Sequence, residues 1–334
     1  MSITFETICD DPALYLLALQ HDAAHFQPMT RDSFRRSIFL DDRIVRGPGQ
    51  GFSLPLAEVR GQRWPDPAER PVGLIFHVAQ CGSTLLARAL DLPGRSLVLR
   101  EPAALRRLGV ETGPQGTVDE TMLRFTLSML GKRWEAEAPV IVKANVPVNF
   151  IAGEVLAIEP ETRAICLHFP LASYVAAVMR TQGHEKWVES IFAEMRLAGS
   201  RFALGAEPRT TAERTACLWF AQMKAFDALT AAYPGVRTLN AELLFGRPAE
   251  AVAASAGHFG IALRDGEAEE IVSGELFETY SKNPALDYDP EVRAARDAEA
   301  KRRLGPQIAE AEGWVSTASI RHGPIGELGA PLLG

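Results

Sequence analysis

Short, almost continuously apolar runs recur from residue 72 onward and alternate with longer amphipathic segments. The runs are VGLIFHV, SLVL, PVIVKA, TRAICLHF and GVRTLN, which begin at residues 72, 96, 139, 162 and 235. Strands that are buried on both faces have this pattern, because helices cover both sides of a parallel sheet. The spacing therefore predicts five buried strands separated by helices.

Helices are predicted between and after these strands. They cover STLLARALDL, DETMLRFTLSMLGKRW, NFIAGEVLAIE, LASYVAAVMRT and TAERTACLWFAQMKAFDALTAAY. After residue 248 the pattern is mostly helical, and a charged, exposed helix from residue 289 is expected to break at Pro306. The alternation predicts an α/β fold of three layers, with a central parallel sheet between helices and a helical C-terminal part.

The first 70 residues are predicted to form an N-terminal extension packed on the main domain. A helix is predicted over DPALYLLALQHDAAHF, ended by Pro28, and a short one in TRDSFRRSIFL. The Pro- and Gly-rich stretches RGPGQGFSLPL and RWPDPAERP are predicted as surface loop. We place the main domain at residues 71–312 and a loosely held tail at residues 313–334.

Composition narrows the class of protein. Of 334 residues, 47% are hydrophobic and 23% charged, an ordinary globular mixture with a net charge of −7. That charge argues against nucleic acid as a partner of the chain as a whole. Four widely spaced cysteines without a CxxC pair favour reduced thiols, no signal peptide is visible, and no apolar run reaches the roughly 20 residues of a membrane span. We therefore expect a cytoplasmic protein with no membrane or metal partner.

The turn VAQCGST, between the first buried strand and its helix, is typical of a phosphate-binding loop. Gly82 would let the backbone approach an anion, and Ser83 and Thr84 would offer hydroxyl groups. Against the GxxxxGK[ST] pattern, Ser83 stands where the lysine belongs, which disfavours hydrolysis of a nucleoside triphosphate. A plain N-capped helix after a buried strand is the alternative interpretation.

Polar residues follow the other predicted strands at the edge where ligands of α/β sheets bind. Glu101 is a candidate general base, or else the partner of a neighbouring arginine. Lys143 would neutralise developing negative charge, or else form a structural salt bridge to Glu101. His77 is a candidate second base, although a hydrogen-bonded core histidine explains it equally simply.

Taken in order, QCGSTLLARAL, LREP, VIVKANVP, CLHFPLASYV and RTLNAELLFGRPAEAVAASAGHFGI resemble the motifs of the sulfotransferase family. The resemblance implies a fold of the P-loop NTPase type. It also implies transfer of a sulfuryl group from 3′-phosphoadenosine 5′-phosphosulfate (PAPS) to a hydroxyl or amine of a small-molecule acceptor. Glu101 would be the base and Lys143 would face the departing phosphate. The loop residues that would contact the donor are Gln80, Cys81, Gly82, Ser83, Thr84 and Leu85.

The resemblance also assigns residues to the 3′-phosphate of the donor. His168 stands where relatives have an arginine and Ser173 is the nearest hydroxyl, with Arg180 and Lys282 as further cations. Gln80 likewise replaces a basic residue, and Ala176 a serine. These departures keep two other hypotheses open, a non-catalytic binding or assembly protein of the same fold and a nucleotide-dependent phosphotransferase. Neither the acceptor nor the oligomeric state is indicated.

Overall fold

The computed structural model describes residues 3–112, 117–195, 207–280, 283–287 and 290–334. The strands are β1 Leu14–Gln20, β2 Ala23–Pro28, β3 Phe52–Pro55, β4 Val72–His77, β5 Leu97–Arg100, β6 Val140–Lys143, β7 Ala164–His168, β8 Val236–Asn240, β9 Thr279–Tyr280 and β10 Asn283–Asp287. The α-helices are α1 Phe5–Asp10, α2 Arg31–Arg36, α3 Leu56–Gly61, α4 Ser83–Ala89, α5 Ala103–Thr112, α6 Glu120–Leu130, α7 Ala152–Ile158, α8 Leu171–Val178, α9 Gln182–Glu194, α10 Thr211–Ala232, α11 Ala241–Gly246, α12 Pro248–Phe259, α13 Glu267–Val272, α14 Glu275–Glu278, α15 Pro290–Arg303 and α16 Gly305–His322. Short 3-10 helices cover Pro67–Glu69 and Val146–Ile151.

A parallel sheet of five strands, in the order β5-β6-β4-β7-β8, forms the centre of the structure. Every residue of β5 and β6 is buried, which explains their uninterrupted apolar sequence. The register aligns the carboxyl ends of neighbouring strands, with Arg100 opposite Lys143 and His168 opposite Asn240. These are the five predicted strands, and helices flank them, so the predicted α/β class is confirmed.

The predicted helices are also present, as α4, α6, α7, α8 and α10. The long α10 packs against α8 and α16, while α4 packs against α14, and α12 against α13. The charged segment near the C-terminus forms the largely exposed α15, and α16 begins at Gly305 with Pro306 in its first turn. The predicted break at Pro306 is therefore confirmed.

The helix predicted over residues 11–26 is wrong. β1 and β2 form an antiparallel hairpin that β3 extends, so part of the predicted loop RGPGQGFSLPL is also a strand. His21 and Asp22 make the turn with φ angles of 51° and 58°, the left-handed values that two-residue hairpins require. Leu14 to Leu16 of β1 are all buried, and α5 and α6 pack against this strand. Because consecutive residues of β1 are buried, the sequence lacks the alternation of apolar and polar positions that identifies a strand. The short helix predicted after Pro28 is confirmed as α2.

The β5 edge of the central sheet is covered by the N-terminal extension. The backbone N–H of Leu40 donates to the carbonyl of Arg100 at 2.8 Å, and that of Ala103 donates to the carbonyl of Leu40 at 3.1 Å. The Arg100 guanidinium, with its side chain 1% exposed, pairs with Asp91 at 3.0 Å and donates to the Ser37 carbonyl. The extension is thereby joined to the end of β5.

The β8 edge is covered from the other direction by the C-terminal segment. The Thr238 N–H donates to the Ala330 carbonyl at 2.9 Å, and the Leu332 N–H donates to the Thr238 carbonyl at 2.8 Å. α16 runs to His322 with Trp314 buried, so the helix continues past residue 313, where the tail was predicted to begin. None of the described helices is long and apolar enough to span a membrane.

Candidate active site

The strand order determines which polar residues meet at the ligand-binding edge of the sheet. Glu101 follows β5 and Lys143 ends β6, on one side of the loop formed by residues 78–82 after β4. His168 ends β7 and Glu242 follows β8, on the other side of that loop. The edge therefore has a central loop, an acid–base pair to one side and a second polar group to the other.

Glu101 and Lys143 form an ion pair at the first of these positions. The Lys143 side chain is 1% exposed and that of Glu101 is 20% exposed. The Glu101 backbone N–H donates to the Lys143 carbonyl at 2.7 Å, and its φ of 56° is left-handed. Such a backbone costs on the order of 1–3 kcal/mol in a residue other than glycine and is common at active sites. The Asn145 amide donates to the second carboxylate oxygen at 3.3 Å, so both oxygens of Glu101 are held.

His77 completes this group. Its Nε2 lies 4.0 Å from Glu101 Oε1, and its Nδ1 lies 3.2 Å from the Val78 carbonyl. A carbonyl only accepts, so this contact assigns the proton to Nδ1. Asn149 donates to the His77 carbonyl at 3.0 Å and to Gln222 Oε1 at 2.7 Å. The structure thus brings together the three residues predicted as catalytic and supports them with two asparagines that the sequence analysis missed.

The N-terminal extension reaches this group as well. Lys143 Nζ lies 5.7 Å from the centre of the Phe39 ring, and the Arg43 guanidinium lies 4.3 Å from the same ring. Hydrogen bonding to Asp41 raises the pKa of Arg43, and the Glu101 carboxylate adds to that effect. Phe39 and Arg43 therefore stand beside the acid–base pair, on a segment that the sequence analysis treated as peripheral.

The loop after β4 has the backbone of an anion-binding turn. Gly82, with φ of 81°, precedes α4, and Gln80 also has a left-handed φ of 62°. A Cβ atom on Gly82 would lie 2.5 Å from Phe245 Cζ, so no larger residue fits without displacement. Thr84 is 1% exposed, and its hydroxyl has no hydrogen-bond partner within the described part of the chain. A buried hydroxyl without a protein partner is open to a ligand or to water.

The remaining loop residues are buried. The Cys81 thiol donates to the Val78 carbonyl at 2.6 Å and holds the turn closed, and Ser83 is 4% exposed. Leu85 belongs to a small apolar cluster with Val252 and Phe277. The backbone N–H of Leu85, rather than its side chain, is therefore suited to contact the sulfuryl donor.

Of the residues assigned to the 3′-phosphate, His168 ends β7, Ser173 lies in α8 and Arg180 follows α8. Burial lowers the pKa of His168 to about 4, so its imidazole is uncharged at neutral pH. The Ser173 hydroxyl donates to Glu242 Oε1 at 2.5 Å. Arg180 lies 3.4 Å from the Asp297 carboxylate of α15. The predicted contact Lys282 lies outside the described residues.

The ion pairs bear on one of the alternatives weighed from the sequence, the partner of Glu101. Glu101 pairs with Lys143, whereas Arg100 pairs with Asp91 and Arg106 pairs with Glu194. In the described residues, no group of three or more His, Cys, Asp or Glu side chains is arranged to hold a metal ion.

The solved structures that resemble this chain include two sulfotransferases. No family model matches the chain, and no curated protein matches it. A sulfotransferase from Alicyclobacillus acidocaldarius is 14% identical with a TM-score of 0.39, over 73% of this chain and 95% of that one. The sulfotransferase domain from the curacin biosynthetic pathway is 12% identical with a TM-score of 0.41, over 77% and 99%. Both carry the name of the family that the strand-end motifs resemble, while the α/β assignment rests on the sheet and helices described above.

Proposed function

We propose that the chain is a sulfuryl transferase that uses a nucleoside 5′-phosphosulfate as donor and a hydroxyl or amine of a small molecule as acceptor. PAPS is the donor that the sequence resemblance implies. The observation that carries the proposal is the Glu101–Lys143 ion pair beside the loop formed by residues 78–82. The backbone of Glu101 in this pair has a left-handed φ. General bases and cations that act on a transferred group occupy such positions at the ends of parallel strands.

The chemistry follows from these positions. Glu101 takes the proton of the acceptor hydroxyl or amine while the acceptor oxygen or nitrogen bonds to sulfur. The bond from sulfur to the bridging oxygen breaks, and its electron pair stays on the departing nucleotide phosphate. Lys143 faces this developing charge, and the loop around Gly82 with the Thr84 hydroxyl holds the phosphosulfate. Asn145 positions the Glu101 carboxylate by donating to Oε2, while Lys143 contacts Oε1.

Thermal melting and turnover test the proposal together. Melting is measured with adenosine 5′-monophosphate, adenosine 3′,5′-bisphosphate, ATP and GTP, because a ligand at ~100 Kd stabilises a protein by about 2.7 kcal/mol. Turnover is measured as release of the nucleotide product from a sulfuryl donor over a panel of phenols, alcohols and amines. Glu101→Gln should lower turnover by about 10²–10⁴-fold. Glu120→Gln, which changes an exposed carboxylate on α6, should not.

The outcomes separate the candidates. Stabilisation by an adenosine phosphate with turnover that Glu101→Gln abolishes supports the transferase. Binding without turnover favours a non-catalytic binding protein of this fold, the second candidate, which Gln80 and the uncharged His168 make worth testing. A shift with ATP or GTP alone favours a phosphotransferase. The absence of a shift with any nucleotide contradicts the proposal.

A further inference from the structure

A carboxylate stands at the place that the resemblance assigns to the 3′-phosphate of the donor. Glu242 lies in the first turn of α11, where the Asn240 side chain caps its backbone N–H at 2.9 Å. Ser173, the hydroxyl expected to contact that phosphate, instead donates to Glu242 at 2.5 Å. The Glu242 side chain is 47% exposed and therefore open to a ligand.

The positive charges around Glu242 are engaged with carboxylates. Lys301 Nζ lies 3.4 Å from Glu242 itself. Arg180 and Arg293 both pair with Asp297 of α15, at 3.4 and 3.3 Å. His168, at the end of β7, is kept uncharged by its burial, which lowers its pKa to about 4. Within the described residues, these three cations face the two carboxylates Glu242 and Asp297, and the group that contacts Ser173 is the Glu242 carboxylate rather than a cation.

A carboxylate at this position has a clear chemical preference. In dinucleotide-binding folds, an acidic residue accepts hydrogen bonds from ribose hydroxyls, whereas an arginine accommodates a phosphate on the ribose. A 3′-phosphate would meet the negative charge of Glu242, while a 2′- or 3′-hydroxyl would donate to it. The 3′-phosphate of PAPS therefore fits the Glu242–Ser173 pair less well than a ribose hydroxyl does.

The sheet order supports the same assignment. The loop after β4 and the end of β8 are two strands apart, about 10 Å at the usual spacing of strands. That distance suits a ribose 5′-phosphate with a hydrogen bond at each end. The intervening strand β7 presents His168 and the start of α8, with Ser173, along the way.

We propose that Glu242, together with Ser173, binds the ribose hydroxyls of the donor, and that the chain prefers a nucleoside 5′-phosphosulfate without a 3′-phosphate. This inference rests on the proposed function, because it refines the donor of that same site. Glu242 is then the residue that determines donor specificity.

Isothermal titration of the full chain with adenosine 5′-monophosphate and adenosine 3′,5′-bisphosphate tests the inference. The monophosphate should bind at least tenfold more tightly, and 3′-deoxyadenosine 5′-monophosphate should bind several-fold more weakly than the monophosphate. Glu242→Gln keeps an acceptor for Ser173 and removes the charge, so the preference should fall below threefold. Glu250→Gln, which changes an exposed carboxylate on the neighbouring α12, should leave it unchanged. Ser173→Ala keeps the charge, so it should weaken monophosphate binding without reversing the preference.

The results discriminate between this inference and the proposed function. Equal affinities, or tighter binding of the bisphosphate by the unmodified chain, overturn the inference and leave the sulfuryl transferase standing. A preference that Glu242→Gln does not reduce, in a variant whose melting shows that it is folded, also overturns it. If neither nucleotide binds at millimolar concentration, the proposed function itself fails.

Discussion

Removing either charge of the Glu101–Lys143 pair should destabilise the fold, and the two removals should differ in cost. Glu101→Gln leaves an ammonium whose side chain is 1% exposed without its carboxylate. Lys143→Met leaves a carboxylate that is 20% exposed and keeps the Asn145 amide as a donor at 3.3 Å. Because the stranded ammonium is further from water, we expect Glu101→Gln to be the more damaging change.

The magnitude follows from the cost of an unpaired charge. Breaking a buried pair from one side typically costs about 3–5 kcal/mol. That cost has an upper limit, because the unpaired group can instead become neutral by losing or gaining a proton. At pH 7 an ordinary lysine loses its proton for about 4.6 kcal/mol and an ordinary glutamate gains one for about 3.7 kcal/mol. Solvent lowers the second figure further, so we expect about 3–4.5 kcal/mol for Glu101→Gln and about 1.5–3 kcal/mol for Lys143→Met.

Urea unfolding of the unmodified chain, both single variants and the double variant closes a double-mutant cycle. The double variant removes both charges, so it should lose about 2–3 kcal/mol less than the sum of the single losses. Turnover should stay abolished in the double variant, because restored stability does not replace the base. Single losses that add within about 0.5 kcal/mol would show that the two side chains do not act on each other. A larger loss of unfolding free energy in Lys143→Met than in Glu101→Gln would contradict the conclusion that Lys143 carries the more buried charge.

Three further changes test other parts of the structure. Gly82→Ala should cost about 1–3 kcal/mol in urea unfolding, because it adds a Cβ to a left-handed residue packed under an aromatic ring. Gly153→Ala is the control, because its added Cβ meets no atom of the described residues within 4 Å beyond its own helix turn. Equal losses of unfolding free energy in the two variants would contradict the strain at Gly82. Arg100→Met should cost about 3–5 kcal/mol as a buried pair is broken, against less than about 1 kcal/mol for the exposed Arg107→Met. Burial lowers the pKa of Lys132 to about 7. Between about pH 7 and 10 the unfolded chain therefore binds more protons than the folded chain. The stability of the unmodified chain relative to Lys132→Met should accordingly rise with pH over this range. A difference in Tm that does not change over this range would contradict the shift.

The central sheet could be predicted because each strand is buried on both faces and bounded by polar turns. The same property misled the prediction at β1, where burial on both faces removes the alternation that separates a strand from a helix. The turn that would have corrected it consists of His21 and Asp22, a pair far less characteristic of hairpins than Asn-Gly.

The candidate site was predictable residue by residue but not as an arrangement. Glu101, Lys143 and His77 each end or follow a predicted strand, and that position alone marked them. Which of them would meet depends on the order β5-β6-β4-β7-β8, which no local pattern contains. Asn145 and Glu242 also follow predicted strands, so their positions were visible, whereas their partners were not.

The coverage of the central sheet at β5 and β8 bears on how the protein can be produced in pieces. Uncovered edge strands readily pair with strands of other molecules, which causes aggregation. Here the backbone partners at the two edges are Leu40 and residues 330–332, all far from those strands along the chain. A recombinant fragment trimmed to residues 71–312 would lose these partners at both edges and should precipitate or form soluble aggregates. Fragments for biophysical work should therefore retain both covering segments to remain monodisperse.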